Sequence, residues 1–310
     1  MAPPLLRIGT RGSPLALVQA DELKRRLAAA HASLAAPGAI DIVVLRTSGD
    51  RTGERPLAEE GGKGLFTKEI EEALFDGRID VAVHSMKDML ATLPKGLAIA
   101  ACLPREDPRD ALVSGTATTI RDLPRNARVG TTSPRRQALL KRARPDLRIA
   151  PLRGNVETRL RKIEAGEIDA GVLAVAGLKR LGLFSATAAA IAVEEFLPAV
   201  GQGAIAVETR ADDEKAVALA AAINHAETAV ALAAERGFLA ALGGSCRTPI
   251  AGHAQLDGDT VKFRGLVTKP DGSNAIEVSR QGAHADAAAL GADAGHDIKR
   301  RAGADFFVED

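Results

Sequence analysis

The chain has no tryptophan and no tyrosine, and its only aromatic residues are eight phenylalanines scattered through 310 positions. Proteins that hold single-stranded nucleic acid stack bases on aromatic rings, so this scarcity argues against that class. Cysteine is scarcer still. Cys102 and Cys246 are too few for a disulfide framework or a four-thiolate zinc site. The six histidines form no HxxxH pair, so no metal is expected. No uninterrupted apolar run of about 18 residues occurs, and no membrane partner is expected. The opening MAPPLLRIG lacks a basic stretch followed by an apolar core and a small-residue cleavage site, which predicts a cytoplasmic location. Charge is balanced: 41 Lys and Arg against 40 Asp and Glu leave a net +1. Such a chain has no overall field drawing it to polyanions, so any selectivity for charge has to be local and no nucleic-acid partner is expected.

What is present is enough to fold. With 46% hydrophobic and 26% charged residues, burial can offset conformational entropy, and the length suits two or three domains. Leu6 to Gly9, Ile42 to Leu45, Val81 to Val83 and Leu97 to Ala101 read as strands. Between them, Ser13 followed by Pro14 is a hydroxyl cap with a residue preset for the first helical position. Leu15, Val18, Leu23 and Leu27 then line one side of the helix. A second helix is predicted from about Thr67 to Phe75, ending near Gly77. Strands alternating with helices of this length imply crossover units and a mostly parallel sheet, that is, an α/β domain.

The plan then repeats. Ile8-Gly9-Thr10 leading to Ser13-Pro14 is echoed by Val129-Gly130-Thr131 leading to Ser133-Pro134. Gly77-Arg78-Ile79-Asp80 before Val81 is echoed by Gly166-Glu167-Ile168-Asp169 before Val172. Two echoes in the same order predict two related lobes with a cleft, joined near Leu103 to Arg109, where Pro104 and Pro108 bracket charged residues. From about Ala211 a long alanine-rich helical region is predicted to reach Leu242. Alternating runs follow at Ile250 to Leu256, Val261 to Val267 and Ala275 to Arg280, and the turns Asp257-Gly258 and Asp271-Gly272 would join them as an antiparallel sheet. A last helix begins near Asp286. This is a third, smaller α+β domain.

Arginines collect at helix starts. Arg11 precedes the Ser13 cap, Arg135 and Arg136 follow the Ser133 cap, and Arg153 precedes a helix carrying Arg159. A helix N-terminus already carries partial positive charge, so cations clustered there are unfavourable unless an anion binds. Guanidinium forks suit carboxylates or phosphates, and the expected ligand is a polycarboxylate or polyphosphate. Gly61-Gly62-Lys63-Gly64 is not a Walker loop, because Leu57 stands where glycine is needed and Gly64 where Ser or Thr is needed. It is either a glycine segment that swings Lys63 and Phe66 over the cleft or a plain surface loop. Asp88 lies just past a strand's C-terminal end, where open α/β sheets place ligands. Its carboxylate suits a fixed counter-charge to a cation, or a surface cap or ion pair. His84 is either a base or packed structure. Cys246, on the loop Gly243-Gly244-Ser245, has no dedicated histidine partner and reads as an inert thiol when taken alone, as does Cys102 in its apolar run.

Taken together, RIGTRGSPLAL, GGKGLFTKEIE, DVAVHSMKD, REDPRDALVS, GTTSPRRQ, LRGNVETRL, LAVAGLKRLGL, LPAVGQGAIAVE and GGSCRTPI resemble the porphobilinogen deaminases, also called hydroxymethylbilane synthases, over nearly the whole chain. The resemblance implies two periplasmic-binding-protein-like (type II) α/β lobes plus a smaller α+β C-terminal domain with a three-stranded antiparallel sheet. The implied domains are 1–103 with 204–220, 104–203, and 221–310. It implies a monomer whose small-molecule substrate is porphobilinogen, and a dipyrromethane cofactor attached through a thioether to Cys246. Lys87, Asp88, Thr131, Ser133, Arg135 and Arg136 match the family's cofactor ligands. Arg11, Ser13, Arg153, Arg159 and Gln202 match its substrate ligands, Lys63 and Phe66 its mobile loop, and Asp88 its catalytic aspartate. Ser245, Leu90 and Pro134 stand where relatives commonly have Gly, Pro and Leu, which touches loop shape and helix entry but no charged ligand. A noncatalytic two-lobed anion receptor would share the lobes, but would need neither Asp88 nor Cys246.

Overall fold

The computed structural model describes residues 3–51, 64–243, 249–303 and 306; Lys63 and Cys246 lie outside them. In chain order the first elements are β1 (Leu6–Arg11), α1 (Pro14–Ala30), β2 (Ile40–Leu45), α2 (Ser48–Arg51), α3 (Lys68–Phe75), β3 (Val81–Ser85) and β4 (Leu97–Cys102). Next come β5 (Asp110–Val113), β6 (Arg128–Gly130), α4 (Pro134–Ala143), β7 (Arg148–Ala150), α5 (Val156–Glu164), β8 (Ala170–Ala174), α6 (Val175–Arg180) and β9 (Ala188–Ala190). The last are β10 (Ile205–Arg210), α7 (Glu214–Ala221), α8 (Ala226–Leu242), β11 (Ile250–Asp257), β12 (Thr260–Val267), β13 (Ile276–Ala283) and α9 (Ala287–Ala302). The chain divides into two compact units, residues 1–106 with 203–229 and residues 107–202 with 230–310.

The first unit is built on one sheet of order β2-β1-β3-β10-β4. β1 runs parallel to β2 and β3, while β10 is antiparallel to β3 and β4. The second unit carries a sheet of order β7-β6-β8-β5-β9, with β6 parallel to β7 and β8 and with β5 antiparallel to β8 and β9. The orders match position for position, each with its antiparallel strand fourth. These are the expected type II lobes. The second unit also holds the expected antiparallel sheet, β11-β12-β13. The odd strand escapes a reading built on crossovers because no helix of its own lobe leads into it. β10 follows a loop late in the chain, and β5 is four residues long.

The two sequence echoes are also packed against each other, in the same way in each lobe. A Cβ on Gly9 would meet Ile79 at 2.2 Å, and one on Gly130 would meet Ile168 at 2.5 Å, so glycine lets β1 and β6 lie on the isoleucines just before β3 and β8. Asp80 accepts from the Arg7 backbone N–H at 2.7 Å, and Asp169 from that of Arg128 at 2.6 Å. Each carboxylate also takes its arginine's side chain.

The alanine-rich stretch is not one helix. It breaks between α7 and α8, where the Asn224 side chain accepts from Cys102 N–H at 2.9 Å and His225 N–H donates to the Cys102 carbonyl at 2.8 Å. Asp213 caps α7 by accepting from Ala216 N–H, and α7 buries Ala216 and Ala220 in the first lobe's core beside Leu23, Val83 and Val207. Cys102 is buried, as expected. In the second unit α8 and α9 meet so closely that a Cβ on Gly291 would lie 1.8 Å from the Ala234 carbonyl oxygen. Phe238 and Phe263 fill the core there, ring centroids 5.0 Å apart. Among the described residues no single helix is long and apolar enough to cross a membrane.

Candidate active site

In the first unit, β1 delivers Arg11 to the start of α1. Ser13 caps that helix, its hydroxyl accepting from Ala16 N–H at 3.3 Å, Pro14 opens it, and no acidic residue occupies the first turn. The positive end of the helix is thus left without an internal counter-charge. The Arg11 guanidinium lies 4.2 Å from the centroid of the Phe66 ring, a cation–π contact. Gly49 seats that ring: its N–H donates to the Leu65 carbonyl at 2.8 Å, and a Cβ there would be 2.2 Å from the ring.

β3 ends at Ser85 and gives way to a single 3-10 turn, Met86–Asp88, with Lys87 exposed and Asp88 half-buried. Met86 N–H donates to the Ala204 carbonyl at 3.0 Å. The Ser85 hydroxyl and the Gln19 carboxamide of α1 exchange contacts at 3.0 and 3.3 Å, and Gln19 is buried. The turn bearing Asp88 is therefore tied to both its sheet and α1. Among the described residues no hydrogen bond or ion pair engages the Asp88 carboxylate, which leaves it available to a ligand. His84 is packed structure, its Nε2 lying 3.1 Å from Oε2 of the buried Glu208.

In the second unit, Ser133 caps α4 by accepting from Arg136 N–H at 3.4 Å, and the Thr131 hydroxyl accepts from Ser133 N–H at 3.1 Å. α4 also has no acidic residue in its first turn. Arg135 and Arg136, 4% and 6% exposed, do not form a solvated basic face. Arg135 Nη2 donates to Asp110 Oδ2 at 2.7 Å, and Arg136 donates to Asp110 Oδ1 through Nε at 2.9 Å and Nη2 at 2.7 Å. They also donate to the Leu197 and Val172 carbonyls, both at 2.9 Å, and Arg136 Nη2 donates to Gln202 Oε1 at 3.5 Å. Gln202 is equally enclosed, donating to Asp110 Oδ1 at 3.1 Å and to the Pro108 carbonyl at 2.7 Å. Burial pushes the Arg135 guanidinium down from its ordinary value while Asp110 pulls it back up. Arg135 Nε is buried with no hydrogen-bond partner among the described residues. Among the described residues one carboxylate serves two guanidinium groups and leaves a positive charge over, and an orphaned buried donor is costly until something accepts from it. A carboxylate-bearing cofactor fits both deficits.

Arg153 and Arg159 are partly exposed at the start of α5. Asn155 caps that helix, accepting from Thr158 N–H at 2.9 Å, and Arg159 Nε donates back to the Gly154 carbonyl at 2.9 Å. The structure thus brings Thr131, Ser133, Arg135, Arg136 and Gln202 together in the second unit, and sets Arg11, Ser13 and Phe66 beside one another in the first. Asp110 and Glu208 are the residues sequence reading missed. A signal existed for Asp110: an acid heading the apolar run Ala111-Leu112-Val113 has to be paired.

A family model described as porphobilinogen deaminase, dipyromethane cofactor binding domain, matches residues 6–218, and one for the porphobilinogen deaminase C-terminal domain matches residues 229–300. The chain belongs to the porphobilinogen deaminase family. A family member from Nitrobacter winogradskyi is 58% identical over 304 residues, covering 98% of this chain and 96% of that one. Another, from Paracoccus denitrificans, is 54% identical over 302 residues, covering 97% and 96%. A solved structure of a putative methionine-binding lipoprotein from Bacillus subtilis aligns with TM-score 0.43 at 16% identity, over 72% of this chain and 91% of that one.

Proposed function

We propose that this transferase of the porphobilinogen deaminase family is a hydroxymethylbilane synthase. It would join four porphobilinogen molecules with loss of ammonia and release the linear tetrapyrrole by hydrolysis. The observation that carries the reading is the buried pair Arg135 and Arg136, which among the described residues share one carboxylate and hold an unpartnered donor, in a chain whose matched family model is described as dipyromethane cofactor binding.

When bound, dipyrromethane supplies the nucleophilic ring carbon on which the chain grows. Cys246 is proposed to hold it through a thioether. Thr131, Ser133, Arg135, Arg136 and Lys87 take its acetate and propionate groups. Arg11, Ser13, Arg153, Arg159 and Gln202 take those of the incoming substrate, with Gln202 acting from its enclosed position beside Asp110. Lys63 and Phe66 cover the substrate, Phe66 from its place on Arg11. Asp88 accepts from pyrrole N–H groups, stabilises the cation left when ammonia departs, and takes up a proton after the new bond forms. Its lack of a hydrogen-bond or ion-pair partner among the described residues supports this role, because a carboxylate already satisfied by an internal cation would have less to offer a transient one. The three domains are proposed as 1–103 with 204–220, 104–203 and 221–310, in a cytoplasmic monomer.

Denatured intact mass tests the reading. The protein from cells that make porphobilinogen should exceed its sequence mass by two linked pyrroles, and peptide mapping should place the excess on Cys246. With no Trp or Tyr, pyrrole absorbance will stand clear of the protein's own. An active protein with unmodified sulfur at both cysteines overturns the assignment.

A further inference from the structure

Asp110 has no place in the chemistry above, yet its carboxylate accepts four side-chain hydrogen bonds. It is the first residue of β5 and is fully buried. Its two oxygens are divided, Oδ2 to Arg135 and Oδ1 to Arg136 and Gln202. Gln202 is itself anchored to the Pro108 carbonyl, and β5 is fixed on the far side by Ile191 N–H donating to the Asp110 carbonyl at 2.8 Å. The carboxylate is therefore preset, and the two guanidinium groups are arranged around it.

We infer that Asp110 is the resident counter-anion of the paired arginines, holding both guanidinium groups in the fold before the acidic cofactor arrives. The inference rests on the reading that dipyrromethane carboxylates bind Arg135 and Arg136. Two guanidinium groups buried without any anion would be driven out to water or would destabilise the lobe. Asp110 removes half of that penalty and leaves the other half, together with the idle Arg135 Nε, for the ligand. The arrangement has a sign. Asp110 and a cofactor carboxylate are like charges sharing the same cations, so each weakens the hold of the other. Loss of the Asp110 charge should therefore harm the cofactor-free protein much more than the loaded one. A carboxylate that merely fills space would matter equally to both.

The test uses the parent and Asp110→Asn, which keeps the shape and removes the charge. Each is produced without cofactor in a host unable to make porphobilinogen, then loaded with porphobilinogen, with loading read by intact mass and unfolding by calorimetry. Loading is expected to raise Tm in both proteins, and by at least about 3 °C more in Asp110→Asn. Equal rises, in a parent that loads normally, overturn the counter-anion alone. A parent that gains no mass overturns the cofactor reading and this inference with it. If cofactor-free Asp110→Asn does not accumulate folded, production with and without porphobilinogen supply decides. Folded protein recovered only with the supply supports the counter-anion, and none recovered under either condition overturns it.

Discussion

His84 Nε2 lies 3.1 Å from Glu208 Oε2, joining two side chains 124 positions apart across neighbouring strands. Both are sealed from solvent, so each is the other's substitute for water. The pair sits four residues before Asp88, at the end of the strand that delivers it. Glu208→Ala leaves a buried imidazole facing a void and should cost about 3 kcal/mol or more. Glu208→Gln, which keeps a hydrogen-bonding oxygen, should cost clearly less. Denaturant unfolding of the three proteins checks this, and an alanine variant as stable as the parent would remove the pair from the fold's support.

Asp88→Asn is expected to separate chemistry from folding. No partner in the described structure depends on the Asp88 charge, so stability should move by less than about 0.5 kcal/mol. The cofactor mass should still be present, while product formation falls by roughly a hundredfold or more. Tetrapyrrole absorbance per loaded protein is the readout, and near-normal turnover would strip Asp88 of its role.

Glu71 sets a pH dependence of stability. Burial on α3 pushes its carboxyl above the ordinary 4.5, and Glu208 adds to the rise. The folded protein then holds this proton more tightly than the unfolded chain. Its contribution is fully present below the ordinary value and is lost as pH climbs through the raised folded one. Glu71→Gln cannot ionise, so its Tm should equal or exceed the parent's, with a lead that opens as pH rises from about 4 to 8. A lead that shrinks with pH would show the sign to be wrong.

Much of the architecture could be read directly from the amino-acid sequence because its causes are local. Ser13-Pro14 and Ser133-Pro134 mark helix starts by hydrogen bonds that span three residues. The glycine and aspartate echoes mark two copies of one packing arrangement, Gly9 on Ile79 and Gly130 on Ile168. The ordered motifs from Arg7 to Ile250 pointed to the family, and with it to the roles proposed for Asp88 and Cys246. The tertiary structure alone decided which partners the buried charges take. Arg135 and Arg136 read as an open anion site until Asp110, 25 and 26 residues away, is seen between them. His84 stays open between base and packed structure until Glu208 is seen beside it. β5 and β10 gain their antiparallel places by pairing with strands far off in the chain. Spacing records a cap or an amphipathic face, since those contacts fall within a turn or two. A charge in a low-dielectric interior is satisfied by whatever the fold carries to it.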